Sequence, residues 1–236
     1  MKFLAAPLAA LPLMFASAQA ADLDEAPEII VEEGGLYVGT RYGLTWADDT
    51  SFELGALGVS RVRNAFADTP GFNSTLAVGT HLGDFRVEAE IGAWTTDVET
   101  HTASLTAGGT LGFPEADATG MVGVATGMVS AYWDLTIGQV RPFAGAGIGV
   151  GYVVANDFGA RSLAGAVPNG VLLDDRAFGL AYHGTVGLGV EVAEGVTLEL
   201  GYRYQAVHAE LMAVTGAQTD FEVDSHTMFF GARVSF

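Results

Sequence analysis

Phe85-Arg86-Val87-Glu88-Ala89-Glu90-Ile91-Gly92-Ala93-Trp94-Thr95 alternates without a break. Phe85, Val87, Ala89, Ile91 and Ala93 share one side; Arg86, Glu88, Glu90 and Gly92 share the other. Period two marks an extended strand whose two faces meet different surroundings. The same residues wound into a helix would mix both classes on every side.

The pattern recurs on both flanks. Upstream, residues 36–48 set Leu36, Val38, Thr40, Tyr42, Leu44 and Trp46 against Tyr37, Gly39, Arg41, Gly43 and Thr45, and 72–82 set Leu76, Val78, Thr80 and Leu82 against Ala77, Gly79 and His81. Downstream, 119–135 end with Val129, Ala131, Trp133 and Leu135 opposed to Ser130, Tyr132 and Asp134, while the register of the upper half stays open. Residues 140–154 oppose Ala144, Ala146, Ile148, Val150 and Tyr152 to Phe143 and four alternating glycines, 145–151. Residues 178–192 set Leu180, Tyr182, Val186, Leu188 and Val190 against His183, Thr185, Gly187, Gly189 and Glu191. In 196–208, Leu198, Leu200, Tyr202 and Tyr204 oppose Thr197, Glu199, Gly201, Arg203 and Gln205. The last strand, 226–236, opposes Met228, Phe230, Ala232, Val234 and Phe236 to Phe229, Gly231, Arg233 and Ser235.

Eight strands are thus predicted, and their links alternate in length. Those after the second, fourth and sixth are tight (Gly83-Asp84, 136–139, 193–195); the other four are acidic and run to roughly 15–25 residues. Short turns at one end and long loops at the other are the pattern of an antiparallel up-and-down barrel that crosses an outer membrane. Whether residues 52–63 add strand above the membrane stays open at this stage.

Composition agrees. Of 236 residues, 50% are hydrophobic and 16% charged, and glycine occurs 32 times. The net charge of −18 makes nucleic acid an unsuitable partner. There is no cysteine, and the one lysine is Lys2, so thiol nucleophiles, thiolate metal sites and Schiff-base chemistry are excluded from the body of the chain. Residues 1–20 read as a secretory signal peptide: Lys2, an apolar run from Phe3 to Phe15, and Ala18-Gln19-Ala20 for cleavage. Residues 21–34 then form an acidic leader and 35–236 the barrel.

Two barrels could be built from these strands. In a soluble carrier the apolar face lines a cavity; in a membrane barrel it meets lipid. The polar face carries Arg41, Arg86, Arg141, Arg203 and Arg233 against Glu88, Glu90, Asp134, Glu191 and Glu199, and so sums to zero while the rest of the chain is strongly acidic. A solvated face would share that acidic bias. An enclosed face must balance, because an unpaired buried charge costs several kcal/mol. The polar face is therefore the lumen, with the glycines of the fifth strand leaving room for arginines from other walls. Trp46, Tyr152, Phe178 and Tyr204 toward the loops, and Phe85, Trp133 and Phe236 toward the turns, fit two interfacial girdles. Trp94 falls on the inward face near the top of its strand, either above the membrane or beside a bulge.

The closing stretch His226-Thr-Met-Phe-Phe230-Gly-Ala-Arg-Val234-Ser-Phe236 is similar to the C-terminal assembly signal of outer-membrane barrels. Ser130-Ala-Tyr-Trp-Asp134, a turn, then Arg141-Pro-Phe-Ala-Gly-Ala-Gly-Ile-Gly149 resembles the fourth and fifth strands of OmpA-like small barrels, the opacity-type "porin family" included. Ser130 stands where that family usually has asparagine. The resemblance implies a bacterial outer-membrane barrel without the peptidoglycan-binding domain of OmpA. It also implies recognition of Phe230, Val234 and Phe236 by the barrel-assembly machinery, and contact with outer-membrane lipid and lipopolysaccharide.

Little else suggests chemistry. Gly145-Ala-Gly147-Ile-Gly149 lacks the spacing of a nucleotide loop, since Val150 stands where the third glycine belongs. His81 and His183 face inward; His101, His208 and His226 are expected in loops or at strand ends. His183 with Glu88 or Glu90 lacks a nucleophile indicated by spacing, and His81 with His183 lacks a neighbouring third metal ligand. The acidic loops (Asp48-Asp49, 97–99, 115–117, Asp174-Asp175, 220–224) match no twelve-residue calcium loop and read as solvated segments. The expectation is a non-enzymatic envelope protein with no cofactor, whose acidic loops meet a surface ligand. A narrow pore for small solutes is the alternative, and a lipid-modifying enzyme a third.

Overall fold

The computed structural model describes residues 35–56, 59–66, 70–113, 117–161, 164, 170–213, 216 and 218–236. The predicted signal peptide and leader, residues 1–34, lie outside them. Eleven strands follow in order: β1 (Leu36–Ala47), β2 (Thr50–Ala56), β3 (Val59–Phe66), β4 (Gly71–Leu82), β5 (Phe85–Leu105), β6 (Thr110–Phe113), β7 (Ala118–Asp134), β8 (Val140–Ala160), β9 (Val171–Ala193), β10 (Val196–Met212) and β11 (Gln218–Ser235). Eight of them, all but β2, β3 and β6, pair antiparallel into a closed ring, β1–β4–β5–β7–β8–β9–β10–β11 and back to β1. Closure leaves no sheet edge in the ring, as a barrel in lipid requires. The hairpins at one end turn on Gly83 (φ 66°) and Gly195 (φ 69°), left-handed positions that glycine occupies without a Cβ clash. The chain also finishes at that end, where the Phe236 N–H donates to the Leu36 carbonyl at 2.9 Å.

Alternation of burial follows the alternation of sequence. Along β5, Arg86, Glu88 and Glu90 are buried, whereas Phe85 and Ile91 are 57% and 62% exposed on the outer wall. Leu200 and Phe230 stand out equally, at 63% and 64%. A continuous apolar band this exposed is stable only against lipid. Among the described residues no helix is long and apolar enough to cross a membrane; the crossing elements are strands.

The ladders continue well past the band, which corrects the sequence reading of long acidic loops. Asp97 and Glu99 lie on β5, Asp174 and Asp175 on β9, and Asp220, Glu222 and Asp224 on β11. Of residues 52–63, left open above, 52–56 lie on β2 and 59–63 on β3, which pair with each other, and β3 pairs with the upper half of β5; residues 57–58 lie outside the described residues. His101 and His208 are strand residues too, and His101 is only 2% exposed. The physical reason is that the two faces exchange character at the water boundary. On β11 the inward row runs Phe221, Val223, Ser225, Thr227, Phe229 and the outward row Asp220, Glu222, then Met228 and Phe230. Where water replaces lipid outside, acids face out and hydrophobic residues face in.

The interior accordingly has two layers. Toward the turns lies a polar layer. Toward the loops lies an apolar cluster that includes Phe52, Val62, Trp94, Val122, Phe158, Leu173, Leu211 and Phe221. Trp94, 3% exposed, belongs to this cluster and marks the level at which the lumen changes from charge to hydrocarbon.

Candidate functional site

The polar layer is assembled from short pieces of seven strands, each contributing every second residue. Arg41 of β1 reaches across the lumen: its Nη1 and Nη2 each donate to Glu88 at 2.8 Å, a bidentate pair, and its Nε donates to Glu199 Oε2 at 3.0 Å. Arg86 is fully buried, pairs with Glu88, and donates through Nε to Asp134, 2.9 Å from Oδ2. Arg203 Nη2 donates to Glu90 Oε2 and to the Tyr132 hydroxyl, both at 2.8 Å, and its Nε to Thr185 Oγ1 at 3.0 Å. Arg233 Nη1 lies 3.1 Å from Glu199 Oε1 and 3.9 Å from Asp134. Arg141 and Glu191 form a separate pair at the turn-end mouth, 2.6 Å apart, with side chains 14% and 17% exposed. Charge-assisted, bidentate geometry of this kind makes buried pairs tolerable, since the desolvation of each ion is offset by several directed bonds.

Aromatic rings finish the packing. The Arg86 guanidinium lies 4.1 Å from the Tyr132 ring centroid and 4.8 Å from that of Phe143, while Tyr37 donates to Glu88 at 2.8 Å. Two lumenal glycines of β8, Gly145 and Gly147, face rings and not, as the sequence suggested, arginines; Gly149 meets the β7 backbone and Gly151 the Val207 side chain. A Cβ at Gly145 would strike the Tyr132 ring, and one at Gly147 the His183 imidazole and Ser130 Oγ. A flat ring needs the whole pleat, which only glycine vacates.

Ser130, His183 and Glu90 come together in a way the sequence spacing did not reveal. His183 Nε2 lies 2.8 Å from Ser130 Oγ and 3.5 Å from Glu90 Oε1, while Nδ1 faces Thr185 Oγ1 at 3.0 Å. A serine nucleophile needs its carboxylate on the opposite ring nitrogen, to orient the base. Here acid and serine share one nitrogen and a neutral hydroxyl holds the other. Ser130 and His183 are also 1% and 3% exposed, under the apolar cluster. The arrangement packs; it does not present a nucleophile. Among the described residues no group of three or more His, Asp or Glu has metal-binding geometry.

The predicted girdle residues Trp46, Phe85, Trp133, Tyr152, Phe178, Tyr204 and Phe236 all lie on the outer wall, and Tyr152 packs against Phe178 at 4.8 Å between centroids. Phe230, Val234 and Phe236 also point outward on the final strand. In the upper layer, His101 Nε2 contacts the Thr119 carbonyl at 2.8 Å and Nδ1 the Asn64 amide at 2.6 Å. This ties β3, β5 and β7 together, and burial holds its pKa below the ordinary 6.5.

Residues 7–236 match the family model described as the outer membrane protein beta-barrel domain. Among solved structures, Neisserial surface protein A (NspA) is similar over 85% of this chain and 97% of its own, at 16% identity and a TM-score of 0.51. OprG from Pseudomonas aeruginosa is similar over 86% and 96%, at 16% identity and 0.49. The outer membrane protease OmpT from Escherichia coli is similar over 86% and 97%, at 9% identity and 0.47. The likeness to NspA extends to the fold. No curated protein matches by sequence.

Proposed function

Because the chain belongs to the outer membrane protein beta-barrel domain family, we propose that it is a non-catalytic and non-conducting barrel that stiffens the envelope and carries an ordered acidic crown to the cell surface. Its place is the outer membrane, among lipid and lipopolysaccharide. Short turns face the periplasm in such barrels, so the turn end is periplasmic and the long strands project outward.

The observation that carries this reading is the doubly closed interior. Arg41, Arg86, Glu88, Glu90, Asp134, Glu199, Arg203 and Arg233 bridge the lumen at one level, with Arg141 and Glu191 at its mouth, and the apolar cluster fills the bore above them. A solute would have to break ion pairs and then cross a dry hydrophobic layer. The ion-pair network acts as the structural core, replacing the apolar core that a lipid-facing exterior forbids. The outward Phe230, Val234 and Phe236 of β11 support recognition of that strand by the barrel-assembly machinery. The acid-faced crown suits a surface partner that is basic or neutral.

Refolded full-length protein in a planar bilayer should show no stable unitary openings. Regular conductance steps from pure protein would overturn the reading in favour of a solute pore. Altered lipopolysaccharide acylation on incubation with the protein, read by mass spectrometry, would overturn it in favour of an enzyme.

A further inference from the structure

The barrel wall is closed below the water boundary and split above it. Below, β1 and β11 seal the ring from Tyr37–Ser235 up to Ala47–Ser225. Above, β2 takes over from β1 and pairs with β3 on one side and, among the described residues, with no strand on the other. The upper part of β11, from Gln218 to Asp224, pairs with β10 alone. Other crown ladders run on without such a break, β7–β8 to Ala118–Ala160 and β10–β11 to Met212–Gln218. β2 and β11 therefore stand beside each other as two open edges.

The seam between them is stitched at its foot. The Asp48 N–H donates to the Asp224 carbonyl at 2.9 Å, and Thr50 Oγ1 donates to that of Glu222. In an antiparallel ladder the N–H and C=O of one residue point to the same side, and successive residues alternate. Asp224 and Glu222 face β2, so Asp220 and Gln218 also offer their backbone groups to that side, where no ladder receives them. At this height the seam opens into a cavity of about 310 Å³, with Ser51, Phe52 and Glu53 on one lip and Gln218, Thr219 and Asp220 on the other. Thr219 is 5% exposed, and its Oγ1 lies buried there without a hydrogen-bond partner. A buried hydroxyl of this kind calls for one.

An open strand edge is completed by another strand. The side chains along the lips decide which. Ser51, Glu53, Asp220 and Glu222 face out, whereas Phe52, Thr219 and Phe221 face in. Glu53 is paired with Arg61 at 2.8 Å, but Asp220 forms no ion pair among the described residues. A second copy adding its own β11 edge would set one acidic row against another, which destabilises a ladder. A strand with basic residues outward and apolar residues inward matches both rows. We infer that the seam between β2 and β11 docks an extended peptide segment of a partner protein, alternately basic and apolar, which adds a strand to β11 at Gln218–Glu222. The crown's role as a partner surface, on which this rests, thereby gains a defined place.

The probe is a capped peptide alternating lysine and valine, titrated into the refolded protein in neutral detergent. Backbone amide resonances and their hydrogen exchange are followed. The amides of Gln218 and Asp220 should exchange freely alone, then shift and become protected saturably as peptide is added. The same peptide with every second amide N-methylated keeps its charge but loses one hydrogen-bonding edge, and should bind about tenfold more weakly. Asp220→Asn leaves the backbone edge in place and should weaken the unmodified peptide about two- to fivefold. Absence of binding, or equal binding of both peptides, overturns the site; the latter means general attraction to the acidic rows. Amides protected without peptide also overturn it: the seam then zips shut, or, where protection grows with protein concentration, a second copy fills it. None of these outcomes depends on whether the barrel conducts.

Discussion

The lower and upper halves of the same strands solve opposite problems. In the lower half Leu200 and Phe230 face out and Arg203 and Glu90 face in; in the upper half Glu222 and Asp220 face out and Phe221 and Val223 face in. Between β10 and β11 the ladder runs through both without a register shift. Only the surrounding medium differs, and it dictates which face is apolar. The hydrophobic effect can build a core where water lies outside, but contributes nothing where lipid does. Below the boundary, cohesion must come from paired charge and ring packing.

The strongest way to break that contrast is to attack the polar core. Arg86→Met strips Glu88 and Asp134 of a buried partner and should cost about 3–5 kcal/mol in urea unfolding of the refolded barrel. The balanced double change Arg203→Met with Glu90→Met should cost less than either single change, since no buried charge is left alone. If either single change were neutral, the lumen would be solvated and not a core. Phe221→Ala should cost a similar or slightly smaller amount, at most about 3–5 kcal/mol, as a cavity in the apolar layer. It should expose residues 209–223 to protease while the heat-modifiable mobility of the lower barrel persists. Simultaneous loss of both would mean that the halves unfold as one unit.

The outer wall offers a subtler comparison. Leu200→Arg, placed in the lipid band, should destabilise by about 2–4 kcal/mol, whereas Glu222→Leu on the crown should stay within about 0.5 kcal/mol. Measured in lipid vesicles, equal effects would erase the boundary drawn between them. The smallest effect concerns His101. Its pKa is lowered by burial in the folded crown and is ordinary, near 6.5, when unfolded. The unfolded chain thus binds the proton more readily. The stability of the neutral imidazole is present above about 6.5 and is lost as pH falls toward the lowered folded value. Protease sensitivity of the crown should rise on mild acidification, and His101→Gln should flatten that response.

The lower barrel was legible because period two and a single sense of polarity coincide there; Phe85 to Ala93 is enough to orient every other strand. The upper barrel was concealed by its composition. Thr219-Asp220-Phe221-Glu222-Val223-Asp224 alternates as cleanly as β5 does, but with the polar row outside, so its density of acids resembles a solvated loop. The signal was an unbroken period with exchanged faces. Trp94 sits at that exchange, which is why its position had two readings from sequence. The neutrality of the inward face could be counted from sequence, but not the partners of Arg41 on β5 and β10, because those depend on how the closed ring staggers its strands. The rings above Gly145 and Gly147 were missed for the same reason: they belong to β7 and β9, whose register the chain alone leaves undetermined.

The strand extensions have one more consequence. From Gln218 to Asp224 alone, β11 extends its ladder by some 20 Å along the strand, at about 3.3 Å per residue, past the level where its outward row turns from apolar to acidic. The loop end of the barrel is therefore a stiff pedestal of fixed contour. A contact made on these ladders would lose little ordering entropy.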